Sequence, residues 1–152
     1  MRNLPIFFRR RMIRNRKIPR HIDVGRVGEK FAVRYLKRHG YRIAERDVNC
    51  GRSEIDIIAV KDDLCCFIEI KTRLENDALI KSAFRAADTV NHSKTSYLIR
   101  GVMNFCSNNY EKYGRYYKSI DIIELYLREE RYFYKLLDVT HFKNAINRLK
   151  KY

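Results

Sequence analysis

Two β-rich runs between Ser53 and Thr72 close on a short polar link, and the charged residues they carry fall opposite one another. Ile55, Ile57, Ile58, Ala59 and Val60 form the first run. Leu64, Cys65, Cys66, Phe67, Ile68 and Ile70 form the second, and Lys61, Asp62 and Asp63 separate them. Runs of this kind around a tight polar link predict a β-hairpin. With Asp62 and Asp63 as a two-residue loop, antiparallel partners have residue numbers that sum to 125. Asp56 then faces Glu69, and Glu54 faces Lys71. Side chains alternate with period two, so all four share one face of the sheet. Directly opposed Cβ atoms lie about 4.5–5.5 Å apart. A four-residue loop keeps this register, whereas a one-residue bulge shifts it.

Two carboxylates facing each other in an apolar sheet repel and lose hydration. A hydrophobic pair would serve the fold better. A divalent cation offsets the repulsion, and Mg²⁺ (or Mn²⁺) takes a few carboxylates together with waters and phosphate oxygens. Lys71, two residues from Glu69, is placed to stabilise charge on a scissile phosphate or to hold an attacking water. The competing reading is an exposed edge, with Glu54–Lys71 as an ordinary cross-strand ion pair. The apolar residues between the charges favour a buried sheet over that reading.

The elements around the hairpin follow from periodicity and stop signals. A helix is predicted from about Asp23, a plausible N-cap, with Val27, Phe31, Tyr35 and Leu36 on one face and Gly40 as its stop. At ~100° per residue, Glu29 falls at the edge of that apolar stripe, beside Ala32 and Leu36. Residues 41–48 suggest a short strand, and 73–89 a loop leading to a helix. A second helix spans Asn91 to about Cys106, with Gly101 weakening the pattern. Strands follow at Lys118–Leu127 and Tyr132–Asp138, and Thr140 is positioned to cap a terminal helix over His141–Lys150. The Tyr-rich stretches around Tyr113, Tyr116, Tyr117, Tyr132 and Tyr134 interleave with Arg and Lys. Such aromatics can stack on unpaired bases, but half-buried strand positions are the commoner explanation.

The chain has 33 Lys and Arg against 18 Asp and Glu, a formal net charge of +15. Residues 1–20 hold eight of the basic groups (Arg2, Arg9, Arg10, Arg11, Arg14, Arg16, Lys17 and Arg20) and no acid. Without them, 25 basic and 18 acidic residues leave +7. The remainder is therefore basic in its own right, which points to a polyanionic partner, nucleic acid above all. One-signed runs repel and seldom pack, so residues 1–21 are expected to be a flexible arm that adds sequence-independent affinity. Arg9, Arg10, Arg11, Arg14, Arg16 and Lys17 are its candidate phosphate contacts, and Lys94, near a helix start, is another. No apolar run reaches the ~18 residues of a membrane span, and Ile6, Phe7 and Phe8 are too few for a signal-peptide core. Cys50, Cys65, Cys66 and Cys106 form no CxxC pair, and the four His make no metal pattern. Reduced thiols in a cytoplasmic protein are the expectation.

The motif Glu54-Ile55-Asp56-Ile57-Ile58-Ala59, followed by Phe67-Ile68-Glu69-Ile70-Lys71-Thr72-Arg73, resembles the signature of the YraN-type family of bacterial endonucleases. That family is restriction-endonuclease-like, with an Asp…Glu-x-Lys core. Gly28-Glu29-Lys30-Phe31-Ala32, Tyr35-Leu36 and Gly40-Tyr41-Arg42-Ile43 are similar to its first helix and the following turn. Val90 and Lys94 resemble its Val-x-x-x-Lys helix start, Asp121-Ile122-Ile123 a later strand, and His141-Phe142 with Asn144-Ala145-Ile146 its C-terminal end. The similarity spans roughly residues 24–147. It implies Asp56 and Glu69 as metal ligands, Lys71 as the catalytic lysine and Glu29 as a further acid delivered by the helix. Arg73 lies within the motif and is counted with the nucleic-acid contacts. Ser53 stands where the family usually has Gly, the 74–89 loop lacks its typical glycine, and the basic arm is longer than the family's.

The expected fold is α/β: a restriction-endonuclease-like mixed sheet of four or five strands flanked by helices, at residues 22–152, behind the basic arm. The expected activity is Mg²⁺-dependent hydrolysis of DNA, including branched or structured DNA. A non-catalytic nucleic-acid-binding protein on the same fold is the alternative. No membrane partner is expected, and a homodimer stays open.

Overall fold

The computed structural model describes residues 10–75 and 92–146, excluding the side chains of 92–94. Six strands form one mixed sheet: β1 (Arg11–Ile13), β2 (Arg42–Cys50), β3 (Ser53–Lys61), β4 (Leu64–Leu74), β5 (Tyr117–Glu129) and β6 (Phe133–Phe142). Helix α1 (Arg20–Arg38) precedes β2, while α2 (His92–Asn108) and the short α3 (Tyr110–Tyr113) precede β5. The spatial order is β1-β6-β5-β4-β3-β2. Only β4 and β5 run parallel, and a parallel pair needs the long crossover that carries α2.

The sheet is covered on both faces, which explains the continuous apolar runs of its central strands. On one face, Val24, Val27, Phe31 and Leu36 of α1 pack on Ile57, Ala59, Ile68, Ile123 and Leu125. With Ala32, which is also buried in this cluster, their three- and four-residue spacing makes the helix amphipathic. On the other face, Leu98 and Val102 of α2 pack with Tyr113 on Ile58, Phe67 and Ile120. Phe31 and Phe67 are fully enclosed, and burying each side chain contributes roughly 1.5–3 kcal/mol. Gly101 has a packing reason: a Cβ there would lie 2.2 Å from the Cys50 carbonyl oxygen.

Several expectations need correction. The sheet has six strands because the basic segment supplies β1, whose Met12 pairs with Tyr134 and is buried. Residues 10–21 are therefore not a free arm, whereas 1–9 lie outside the described residues. Arg14 and Arg20 both reach Glu129, at 2.6 and 2.7 Å, and this carboxylate neutralises cations that would otherwise repel one another. Helix α1 starts at Arg20 behind Pro19, so Asp23 is not its N-cap. Asp23 is instead buried in the first turn and accepts the Asn15 backbone N–H at 2.9 Å. The stop at Gly40 is as expected. No helix begins at His141, because β6 runs through it to Phe142. The His141 Nε2 lies 2.8 Å from Asp121 Oδ2, and Asp121 also accepts from Ser119 and from the Asn144 amide. Asp121 is thus a buried structural anchor, held below the ordinary carboxylate range by those donors although burial opposes it. The expected loop over 73–89 begins as strand through Leu74, and its remainder falls largely outside the described residues.

Helix α1 crosses β4 very closely at Gly28, where a Cβ would stand 1.8 Å from Thr72 Oγ1. Any larger residue forces helix and strand apart. Gly28→Ala is expected to destabilise the fold by about 1–3 kcal/mol, the range for overpacking. Adding Thr72→Ala, which removes the clashing oxygen, should recover part of that loss in urea unfolding.

Candidate active site

The hairpin register is the one the sequence implies: Ile57 pairs with Ile68, Ile58 with Phe67 and Lys61 with Leu64. The ladder then stops. Beyond Ile57 the Asp56 side chain takes over the bonding, and its Oδ2 accepts the Ile70 backbone N–H at 2.6 Å. A side chain thus substitutes for a ladder hydrogen bond, and β3 opens away from β4 at the position of the acid. On its other side β3 stays paired with β2, Ile55 to Val48 and Glu54 to Asn49.

The opening is a cleft of about 640 Å³. Asp56, Glu69, Lys71 and Arg73 line it with Arg52 and Tyr97. A second cleft, of about 420 Å³, shares Asp56, Lys71 and Thr72 and adds Glu29 and Arg20 from α1. The Gly28–Thr72 crossing delivers Glu29 to this second cleft. Asp56 and Lys71 therefore stand where two openings meet, Glu69 on one side and Glu29 on the other. Arg46 reaches Glu29 at 3.3 Å.

Lys71 does not pair with Glu54 as the strict register predicted. Its Nζ lies 2.5 Å from Glu69 Oε1 along the same strand, both side chains being partly exposed. Glu54 is exposed at the cleft wall. Arg73 is tied through its Nε to Glu124 Oε1 at 2.6 Å, and Glu124 is only 5 % exposed. In the parallel register Glu124 stands beside Lys71. Glu124 went unnoticed in the sequence; the available signal was a lone Glu in the apolar stretch Ile120–Leu127. Arg52 and Tyr97 were also missed as a pair. The Arg52 guanidinium sits 5.4 Å from the Tyr97 ring centre at the cleft mouth.

The other expected nucleic-acid contacts are dispersed. Arg16 and Lys17 are exposed. Arg11 stacks over Phe133 at 4.9 Å, and Arg14 is committed to Glu129 and the Glu130 carbonyl. Arg10 is half-buried immediately before β1. Arg9 lies outside the described residues, as does the Lys94 side chain, although Lys94 belongs to the first turn of α2. Tyr113 and Tyr134 are buried core residues, while Tyr117 and Tyr132 are exposed.

Burial pushes the Asp56 carboxyl up to about 6, and the charges of Glu69 and Glu29 add to this. The Ile70 hydrogen bond and Lys71 pull the other way. Among the described residues no three His, Cys, Asp or Glu side chains are grouped to hold a metal. Two carboxylates are what the protein itself offers, and they are oxygen donors only. That set fits a hard cation such as Mg²⁺ or Mn²⁺, which completes its shell with waters and phosphate oxygens, and does not fit a structural zinc site.

The electrostatics of Asp56 yield a pH-dependent prediction in metal-free buffer. Because the carboxyl is held up in the fold, its contribution to stability is intact below pH 3.8 and is lost as pH rises through about 6. Asp56→Asn keeps an acceptor for Ile70 and removes the charge. It should be more stable than the natural protein by about 1–2 kcal/mol near pH 7, allowing for solvent screening, and no more stable near pH 3.5.

Residues 28–125 match the profile of the Uncharacterised protein family UPF0102. A UPF0102 protein of Clostridium perfringens (strain ATCC 13124) is 35 % identical over 103 residues, which cover 68 % of this chain and 79 % of the relative. A UPF0102 protein of Caldanaerobacter subterraneus subsp. tengcongensis is 34 % identical over 123 residues, covering 80 % and 93 %. A third, from Chlorobium phaeobacteroides, reaches 56 % identity over 50 residues, covering 33 % of this chain and 39 % of its own. The matched segment contains Glu29, Asp56, Glu69, Lys71 and Arg73, and the chain belongs to the UPF0102 family, the YraN family of its sequence signature.

Proposed function

We propose that the protein is a Mg²⁺- or Mn²⁺-dependent endonuclease that hydrolyses DNA, with branched or structured DNA as its substrate class. The observation that carries this reading is Asp56 at the point where β3 leaves β4, half-buried and open to a cleft shared with Glu69 and Lys71. The Ile70 N–H needs an acceptor there but not an ionised one, and the charge itself costs the fold stability. Asp56 and Glu69 would hold the cation, which would supply a Lewis acid for the phosphate and lower the pKa of a bound water. Lys71, paired with Glu69 in this structure, would donate to the attacking water or to the phosphate oxygen that gains charge. Arg73, steadied by Glu124, and Arg52 at the mouth orient the phosphate backbone. Glu29 sets the field at Asp56 from the second cleft. No helix among the described residues is long and apolar enough to cross a membrane, and action in the cytoplasm is part of the proposal. The exposed Arg16 and Lys17 add affinity that falls steeply with salt.

A binding-only reading has one observation in its favour: the Lys71–Glu69 ion pair already neutralises Glu69 without a metal. Cleavage of single-stranded, duplex, flap and four-way-junction DNA with Mg²⁺ or Mn²⁺ separates the two. The nuclease reading predicts metal-dependent cuts reduced at least about 100-fold by Lys71→Ala and by Glu69→Ala, the scale for loss of one group that stabilises transition-state charge. Binding without cuts, unaffected by either substitution, would leave a DNA-binding protein on a nuclease-like fold.

A further inference from the structure

A groove of about 960 Å³ lies at the far end of α2 from the active-site cleft. Its chemistry differs from that of the cleft. Arg115, Lys118 and Lys143 line it with Tyr110, Tyr116 and Tyr117, and none of the described side chains lining it is acidic. Tyr110 and Tyr117 are 72 % and 71 % exposed, so two aromatic rings face water beside three cations. A merely structural Tyr buries most of its ring.

The backbone that carries the rings is held in place. Gly114 lies directly against Tyr110: a Cβ at Gly114 would come within 2.7 Å of ring Cε2 and 2.6 Å of the Tyr110 carbonyl oxygen. The Gly114 N–H donates to that same oxygen at 2.7 Å. Arg115 stands 4.9 Å from the Tyr116 ring centre and donates to its hydroxyl oxygen at 2.8 Å. The backbone of Tyr117 is pinned by its N–H bond to the Asp63 carbonyl at 2.8 Å. With the backbone already fixed, only side-chain freedom is lost when a flat partner stacks on the exposed rings.

Positive charge without acids selects a polyanion, and aromatic faces select one that carries flat rings. Unpaired nucleic acid satisfies both demands, whereas an acidic peptide satisfies only the first. Position narrows the choice further. The parallel register sets Leu64 beside Tyr117 and Lys71 beside Glu124. Seven residues of strand at ~3.3 Å each therefore place the groove about 23 Å from the catalytic lysine. Both openings lie along α2, Tyr97 and Leu98 at the cleft and Val102 and Met103 at the groove. At ~3.4 Å per stacked nucleotide the separation corresponds to about seven nucleotides.

We propose that this groove is a second nucleic-acid site, which holds unpaired nucleotides of the DNA that enters the active-site cleft. Bases stack on Tyr110 and Tyr117, and Arg115, Lys118 and Lys143 take the phosphates. The inference rests on the nuclease reading and specifies its substrate: DNA with a single-stranded segment long enough to reach from cleft to groove.

The test uses the full chain with Ca²⁺ replacing Mg²⁺, and measures binding of labelled oligo(dT) of about 15 and about 4 nucleotides, either side of the seven-nucleotide span. A blunt duplex serves as reference. The natural protein should bind the longer oligonucleotide at least about 10-fold tighter than the shorter. Tyr117→Ala with Lys143→Ala should weaken the longer one by about 10- to 100-fold, leave the duplex unchanged and respond to no comparable degree when Tyr117 is replaced by Phe. Unaltered oligo(dT) binding in the double variant overturns the inference, as does equal competition by polyglutamate. Cleavage of the same DNAs in Mg²⁺ reports on the nuclease reading separately, so loss of one does not masquerade as loss of the other.

Discussion

The hydrogen bond from the Ile70 amide to Asp56 sets the geometry on which the site depends. A buried backbone N–H must find an acceptor, and in most hairpins the opposite strand's carbonyl provides it. Here a carboxylate does, at 2.6 Å. That exchange frees the end of β3 from β4 and creates a cleft within a sheet that is otherwise sealed on both faces. It also fixes the acid in place, so the second carboxylate oxygen, Glu69 and Lys71 meet at one opening.

The rest of the molecule supports that opening from three directions. From α1, the glycine-only contact with Thr72 brings Glu29 up to the second cleft. From β5, the parallel register sets Glu124 beside Lys71 and lets it restrain Arg73. From β2, the pairing of Val48 with Ile55 keeps the freed end of β3 from fraying. Ionised Asp56 is costly in this setting, burial being the main cause. The fold tolerates the cost because apolar packing on both faces is extensive, and strain of this kind is commonly held at functional sites.

The centre of the site was legible in the sequence because hairpin register is local. A two-residue turn at Asp62 and Asp63 sufficed to set the register, and the observed ladder keeps it as far as Ile57 and Ile68, one pair short of Asp56 and Glu69. What the turn could not reveal was where the ladder ends, since this depends on a side chain outcompeting a backbone carbonyl. Glu124 was illegible for a different reason: its partners come from a parallel pairing across a long crossover, which no local pattern records. Residues 11–13 were hidden by their own charge. Arg11 and Arg14 resembled a solvated arm until Glu129 and the Phe133 ring supplied their partners. His141 was misplaced in a helix because Thr140 resembles a local cap, whereas buried Asp121 draws the histidine into β6.

The proposed chemistry requires Asp56 and Glu69 together to bind a divalent cation at the place where the strands part. Mn²⁺ titration of the full chain followed by electron paramagnetic resonance measures this without reference to catalysis. The expected result is one bound Mn²⁺ per chain near pH 7.5, displaced by Mg²⁺ and lost in both Asp56→Asn and Glu69→Gln. Mn²⁺ binding that persists unchanged in those two variants, or no binding in the natural protein with DNA present, would contradict it.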